Sequence, residues 1–172
     1  MEIIEIEINK IKPDQNQPRT SIDEEYLGGM AHSIGQQGVI NAIEVDKDLM
    51  IVTGEVRWRS AMKAELKTIP AKIIDISDEH RFVRQVIANI HSNTMSDWDT
   101  ATALKKLLNT WPGYKSGEVT ETGVDADEAI VWLSETIGKS SAYIREKVSF
   151  INELERSKRT RLMKKQLKNN HH

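Results

Sequence analysis

Patterns that predict β-strands occur only in the first 75 residues of this 172-residue chain. Residues 4–8 alternate isoleucine with glutamate, the two-residue period of a strand that buries one face. Pro70 cannot donate a hydrogen bond to a neighbouring strand, so we expect the strand that contains it to lie near an edge of the sheet. The further strands are predicted from apolar runs at residues 39–45, 49–52 and 69–74.

Helices are predicted between these strands and through the rest of the chain, where strand patterns stop. Gly28 and Gly29 lie inside the first helix, where each costs about 1 kcal/mol relative to alanine, and close packing is the reason that we expect for them. Apolar residues recur at helical spacing, with suitable capping residues, within 21–38, 55–65 and 78–90 and again beyond Ser96.

The change from mixed to helical patterns predicts two domains. We expect an α+β domain over residues 1–95 and an all-helical domain over residues 96–170. Residues 112–126, which contain glycine and scattered acids after Pro112, are predicted to be a loop or a poorly specified insertion. His171 and His172 resemble the start of a purification tag and are left out of the fold prediction.

Composition excludes several classes of protein. The chain has no cysteine, which excludes disulfides, thiolate catalysis and cysteine-ligated zinc. No run approaches the roughly 20 apolar residues of a membrane-spanning helix, and nothing resembles a signal peptide, so we expect a cytoplasmic protein. No metal site is predicted, because the histidines that were considered show no ligand spacing: His32, His80 and His91.

Charge is distributed unevenly along the chain. The net charge of −2 combines +7 over residues 139–168, which hold ten Lys/Arg against three Asp/Glu, with −9 over the remainder. A basic segment on an acidic body predicts a polyanion as partner of that segment. The alternative is a solvated basic tail that binds nothing.

The sequence AIVWLSETIGKSSAYIREKVSFI has the pattern of a helix-turn-helix motif. Ser134 is small, Gly138 follows four residues later where a tight turn needs positive φ, and Ile144 is the β-branched apolar residue of the second helix. An ordinary helical hairpin remains the alternative. The second helix of such a motif contacts bases with its first residues and phosphates with its basic ones. Candidates for DNA binding are Ser140, Ser141, Tyr143 and Arg145 at base edges, and Lys139, Lys147, Lys158 and Arg159 at phosphates.

A second motif, TGEVRWRSAM at residues 53–62, follows a buried strand. Gly54 breaks the apolar run, and Arg57 and Arg59 then lie on the first turns of a helix, where amide groups and the helix dipole also favour an anion. Arginines on a helix are also common as solvated surface residues, so both readings stay open from these residues alone.

Three short blocks, taken in order, resemble the ParB family of chromosome and plasmid partition proteins. They are QPR at residues 17–19, GEVRWRSA at 54–61 and ANIHSN at 88–93. The resemblance implies a ParB/sulfiredoxin-like α+β domain that binds CTP with magnesium, followed by a helical domain that grips a centromere-like DNA site. It also implies a homodimer, formed through a C-terminal region that is absent from this chain, and a ParA-type ATPase as partner.

The resemblance also assigns roles to residues. Gly54 would let backbone amides approach a phosphate, Arg57 would donate to its oxygens, and Arg19 would close the pocket from the other side. Glu55 would orient an arginine or cap the helix, and Arg59 would contact structure or DNA. The family's pattern is broken at Val56, Ala88, His91 and Ser92. The residues implied for nucleotide binding are Gln17, Arg19, Gly54, Glu55, Arg57, Arg59 and Asn89, the last on the magnesium side.

Two rival functions remain open. One is a nucleotide-dependent enzyme, such as a CTPase, kinase or nuclease, with the N-terminal pocket as its active site. The other is a ParB-like transcription regulator with no role in partition. Sulfiredoxin activity is excluded, because that chemistry needs a cysteine.

Overall fold

Two units make up the chain, Met1–Met95 and Ser96–His172. The computed structural model describes residues 2–92, 94–110 and 124–169. The described part of the chain holds no helix whose length and apolar content would let it cross a bilayer.

The first unit is a four-stranded mixed sheet with three helices, which confirms the α+β prediction. Strand order is β1-β4-β2-β3; β4 runs antiparallel to β1 and parallel to β2, and β2 and β3 are antiparallel. The elements are β1 (Ile4–Glu7), a short 3-10 turn (Ile8–Lys10), α1 (Glu24–Gln37), β2 (Ile43–Val45), β3 (Ile51–Thr53), α2 (Glu55–Lys63), β4 (Thr68–Ile73) and α3 (Asp78–His91).

The expectation that Pro70 marks an edge strand is wrong, because β4 lies between β1 and β2. Pro70 faces Glu5 of β1, and the ladder to β2 begins one residue later, at Ala71. The missing N–H therefore interrupts no pair with β2, which is how a proline fits into an inner strand.

One face of the sheet packs against α1 and α2. Ile43 and Ile69 are fully buried, and Trp58 of α2 packs among them and donates its indole N–H to the Ile8 carbonyl at 3.1 Å. Met62, four residues further along α2, is 38% exposed. Of the apolar residues of α3, Val86 and Ile90 are buried, whereas Phe82, Val83 and Ile87 are only partly so.

Helix α1 is capped as its sequence predicts. The carboxylate of Asp23 accepts a hydrogen bond from the Tyr26 amide, and the helix ends at Gly38 with φ 73° and ψ −175°. The expected close packing at Gly28 and Gly29 is wrong, since a Cβ at either position would meet no atom within 4 Å.

The second unit is helical in its described part. It consists of α4 (Asp97–Leu108), α5 (Val124–Ile137) and α6 (Ser141–Asn169). Leu133, Ile137 and Ile144 are almost fully buried between α5 and α6. Residues 112–123 of the predicted loop lie outside the described residues. Residues 124–126, also predicted to be loop, form the start of α5.

The predicted break at Gly138 is confirmed. Gly138 has φ 72°, and Ser140 caps α6 by accepting a hydrogen bond from the Tyr143 amide at 3.2 Å. Ser134, expected to let the helices approach, also donates its hydroxyl to the Lys139 carbonyl at 2.6 Å. A carbonyl of the turn itself, beyond the last residue of α5, is thereby paired.

The glycines of α1 allow a paired test. Gly28→Ala should raise the free energy of unfolding by about 0.5–1 kcal/mol, because alanine loses less backbone entropy and meets no neighbour. Gly38→Ala should lower it by about 1–3 kcal/mol, because its backbone conformation is almost restricted to glycine. Urea unfolding of both variants checks this, and destabilisation by Gly28→Ala would contradict the open surroundings of that residue.

Candidate functional site

A cleft of about 230 Å³ opens in the first unit where β3 turns into α2. It gathers residues from the loop before α1, from α1 itself, from the turn and from the end of α3. Of the residues predicted to bind a nucleotide, Arg59 does not line the cleft. The six that do are Gln17, Arg19, Gly54, Glu55, Arg57 and Asn89.

Gly54 forms this turn, and any residue with a side chain at that position would force neighbouring atoms to shift. Its φ is 98°, and a Cβ there would lie 2.6 Å from Cγ2 of Ile43. Glycine therefore lets the turn lie against β2. No side chain caps the first amides of α2, and these amides point towards the end of the helix that borders the cleft. Free amides at a helix N-terminus are suitable donors for a phosphate.

Arg57 is anchored beside this turn. Its Nη1 donates to the carbonyls of Asn41 and Ala42 at 2.7 and 2.8 Å, so part of the guanidinium holds the segment that enters β2. Burial lowers the pKa of Arg57, and the carboxylate of Glu44 opposes that change. The side chain is therefore a fixed cation at the cleft, with its other nitrogens left for an anion.

Glu55 and Arg59 form a pair within α2. Arg59 donates from Nε and Nη2 to the same carboxylate oxygen of Glu55, at 2.8 and 2.6 Å. Glu55, whose side chain is 13% exposed, is the one carboxylate among the cleft residues that the structure describes. Arg59 offsets its negative charge, which would otherwise disfavour an anion.

Asn89 and Arg19 complete the rim. The amide of Asn89 donates to the Gln85 carbonyl at 2.8 Å and accepts from Thr94 at 3.1 Å, so its orientation is set. Arg19 donates from Nε to the Ser21 carbonyl at 2.7 Å. No cluster of three His, Cys, Asp or Glu suited to a metal occurs among the described residues.

Behind the cleft lies a buried ionic network that the sequence analysis missed. Arg81 of α3 donates from Nε to Asp14 at 3.0 Å and from Nη1 to Asp46 at 2.5 Å, and all three side chains are buried. Burial alone would lower the pKa of Arg81, but the charges of Asp14, Asp78 and Asp46 raise it.

Gln85 extends this network to the sheet. Its Nε2 donates to Asp14 at 3.0 Å and to the Ile51 carbonyl at 3.2 Å. Asp14 also accepts from the Asn16 amide at 2.8 Å, and so it fixes the loop that presents Gln17. The signal in the sequence was the pair of polar residues four apart, 81 and 85, on the apolar face of α3. Their acidic partners, Asp14 and Asp46, lie in segments whose sequences are typical of turns.

In the second unit, most of the predicted DNA-binding residues lie at the start of α6, whereas Lys158 and Arg159 lie further along the same helix. Two cations lie near the ring of Tyr143: Nζ of Lys139 is 5.8 Å from the ring centroid and Nζ of Lys147 is 5.7 Å from it. Lys147 is 15% exposed and pairs with Asp97 at 2.7 Å, a hydrogen bond that raises its pKa. Lys147 therefore ties α4 to α6 more than it faces solvent.

The other predicted contacts are more accessible. The hydroxyl of Ser140 caps α6, and Ser141 is the first residue of that helix. Arg145 pairs with Asp127 of α5 at 2.6 Å. Lys158 lies over the ring of Trp98, 4.3 Å from its centroid. The side chain of Arg159 lies outside the described residues.

Comparison with known proteins identifies the family. The sequence pattern of the ParB N-terminal domain matches residues 1–90, and the chain belongs to that family. A probable chromosome-partitioning protein ParB of Coxiella burnetii is 37% identical over 111 residues, 63% of this chain and 38% of that protein. The ParB of Rickettsia typhi is 28% identical over 144 residues, 83% of this chain and 45% of that protein. The chain thus spans less than half of each of these relatives.

Two solved structures extend the comparison beyond the first unit. C-terminally truncated ParB from Caulobacter crescentus, complexed to the centromeric parS site, has a TM-score of 0.60 at 25% identity and covers 84% of this chain and 69% of its own. The same protein complexed with CTP-gamma-S has a TM-score of 0.51 at 26% identity, with coverage of 88% and 79%.

The buried network predicts a contrast between neighbouring arginines of α3. Arg81→Met should lower the free energy of unfolding by about 3–5 kcal/mol, because two buried carboxylates lose their cation. Arg84→Met breaks a pair with Glu44 in which Arg84 is 49% exposed, and should cost about 1 kcal/mol or less. Urea unfolding measures both losses; equal losses would show that the buried network does not dominate.

Proposed function

We propose that this protein is a site-specific DNA-binding protein of a chromosome or plasmid partition system, whose α+β unit binds a cytidine nucleotide. The observation that carries the proposal is the similarity over 84% of the chain, both units included, to ParB complexed to the centromeric parS site. The same proposal includes a homodimer, a ParA-type ATPase as partner and a cytoplasmic location on nucleoid or plasmid DNA.

DNA binding is assigned to the first turns of α6. The glycine turn separates α6 from α5. The hydroxyl of Ser140 caps α6, so the side chains of the residues that follow it are the ones proposed to contact DNA. Tyr143 and Arg145 then suit base edges, whereas Lys139 and Lys158 suit phosphates. Lys147, whose side chain is mostly buried and pairs with Asp97, acts by holding this surface in position.

Nucleotide binding is assigned to the cleft. A phosphate would lie at the Gly54 turn, with donors from the α2 amides and from Arg57, and Arg19 would approach from the opposite rim. CTP is the nucleotide proposed, because ParB from Caulobacter crescentus was solved with CTP-gamma-S. Magnesium would enter with the phosphates.

The test of the DNA proposal is selection of binding sites from a random pool of duplexes, with and without CTP and magnesium. A recovered consensus that is bound in preference to its scrambled version, with salt-sensitive affinity, supports the proposal. Recovery of no consensus overturns it. Phosphate release that is independent of DNA would instead favour a nucleotide-dependent enzyme, and the position of the consensus near promoters would favour a transcription regulator.

Arg145 and Lys158 should affect DNA binding in different ways. Arg145→Ala should weaken binding to the selected duplex by about 1–3 kcal/mol and relax the preference at one base pair. Lys158→Ala should weaken all sequences about equally and reduce the log–log salt slope by about 0.9. Fluorescence titrations at several salt concentrations separate them; unchanged binding by Arg145→Ala would refute the base contact.

Arg19 provides the corresponding test of the cleft. Arg19→Ala should weaken binding of CTP with magnesium by about ten-fold or more, because a charge-assisted hydrogen bond is lost. Lys63→Ala removes the same charge from α2, but Lys63 pairs with Glu24 outside the cleft, so its effect should stay within about two-fold. Calorimetry compares the variants, and equal losses would mean that only net charge matters.

A further inference from the structure

The ion pair between Arg145 and Asp127 joins the start of α6 to α5. Nη2 of Arg145 donates to Oδ1 of Asp127 at 2.6 Å, and the two side chains are 51% and 67% exposed. An exposed pair of this kind contributes little to stability, since solvent screens it and ordering the long arginine side chain costs entropy. The packing of α5 on α6 depends instead on buried Leu133, Ile137 and Ile144.

The contact leaves most of the guanidinium available. An arginine has five N–H donors in a planar fork, and Asp127 engages one nitrogen of Arg145. Two donors on another edge can therefore still meet two acceptors at once, as a guanine presents with O6 and N7 in the major groove. A free arginine would first lose about 2 kcal/mol of rotamer entropy on making such a contact.

Lys147, two residues further along α6, shows the contrast. Its ammonium is held by Asp97 at 2.7 Å and by Glu146 at 3.3 Å, and its side chain is 15% exposed. Lys147 is thus enclosed by its partners, whereas Arg145 is held from one side only and remains accessible.

We propose that Asp127 is a positioning residue for sequence recognition: it orients the guanidinium of Arg145 so that the remaining donors read a guanine. This inference rests on the proposed DNA-binding function. Asp127 itself contacts no DNA. Its carboxylate orders Arg145 before binding and also repels nearby phosphates, which disfavours the use of Arg145 as a non-specific phosphate contact.

The test compares Asp127→Ala with Glu128→Ala, which removes an equal charge from the next residue of α5. Each variant is titrated with the duplex selected from the random pool and with its scrambled version. Asp127→Ala should reduce the ratio of the two affinities by about three- to ten-fold, part of the discrimination that a bidentate arginine supplies. Glu128→Ala should leave the ratio within about two-fold.

Two further variants separate positioning from charge. Asp127→Glu retains the carboxylate and should recover part of the ratio. In an Arg145→Ala background, Asp127→Ala should have no further effect on the ratio, because the residue that it orients is gone.

Several outcomes overturn the inference. If Asp127→Ala raises both affinities and leaves their ratio unchanged, Asp127 is only a competitor of DNA for Arg145. If Asp127→Ala and Glu128→Ala behave alike, only net charge matters. In either case the parent protein still prefers its selected duplex, and the proposed function stands. A parent protein with no preference overturns the proposed function itself.

Discussion

An arginine in the first turn of α3 holds together segments that are far apart in the sequence. Arg81 bridges Asp14, in the loop before α1, and Asp46, at the turn between β2 and β3. Two carboxylates buried near one another would repel strongly without a cation between them. The position of α3 relative to the sheet is therefore set by charge as well as by apolar packing. Because the end of α3 lines the cleft, the same interactions also determine the shape of the cleft.

The shape of the cleft depends on the buried network on one side and on the Gly54 turn on the other. Asp14 fixes the loop that carries Gln17, and Gln85 ties α3 to β3 through the Ile51 carbonyl. On the opposite side, Gly54 lets the turn approach Ile43. Cations and amides at the cleft are thus held in place by contacts within the unit, which would reduce the entropy lost on binding the anion that we propose.

In the helical unit, by contrast, cations are paired at the surface where DNA binding is proposed. Lys147 and Arg145 each hold an acid from another helix, and Lys158 lies over Trp98. Binding of DNA would exchange such contacts for contacts with phosphates and bases, so affinity depends on the difference between the two sets. The number of basic residues in the segment does not by itself measure that affinity.

Sequence alone determined the features that depend on neighbours in the chain. The alternation in β1, the turns at Gly54 and Gly138 and the α+β class all follow from local periodicity and backbone restrictions. Most residues of the predicted nucleotide site also lie together in the cleft, because family resemblance marked the blocks that form it.

Only the tertiary structure decided what depends on distant partners. Pro70 lies in an inner strand because the ladder to β2 starts beyond it, and Gly28 lies in open space rather than in close packing. Arg81 is buried because two acids, 67 and 35 residues away along the chain, neutralise it. The pairing of Arg145 with Asp127 likewise joins two helices across a turn. Charges and burial are set by three-dimensional neighbours, which local patterns do not encode.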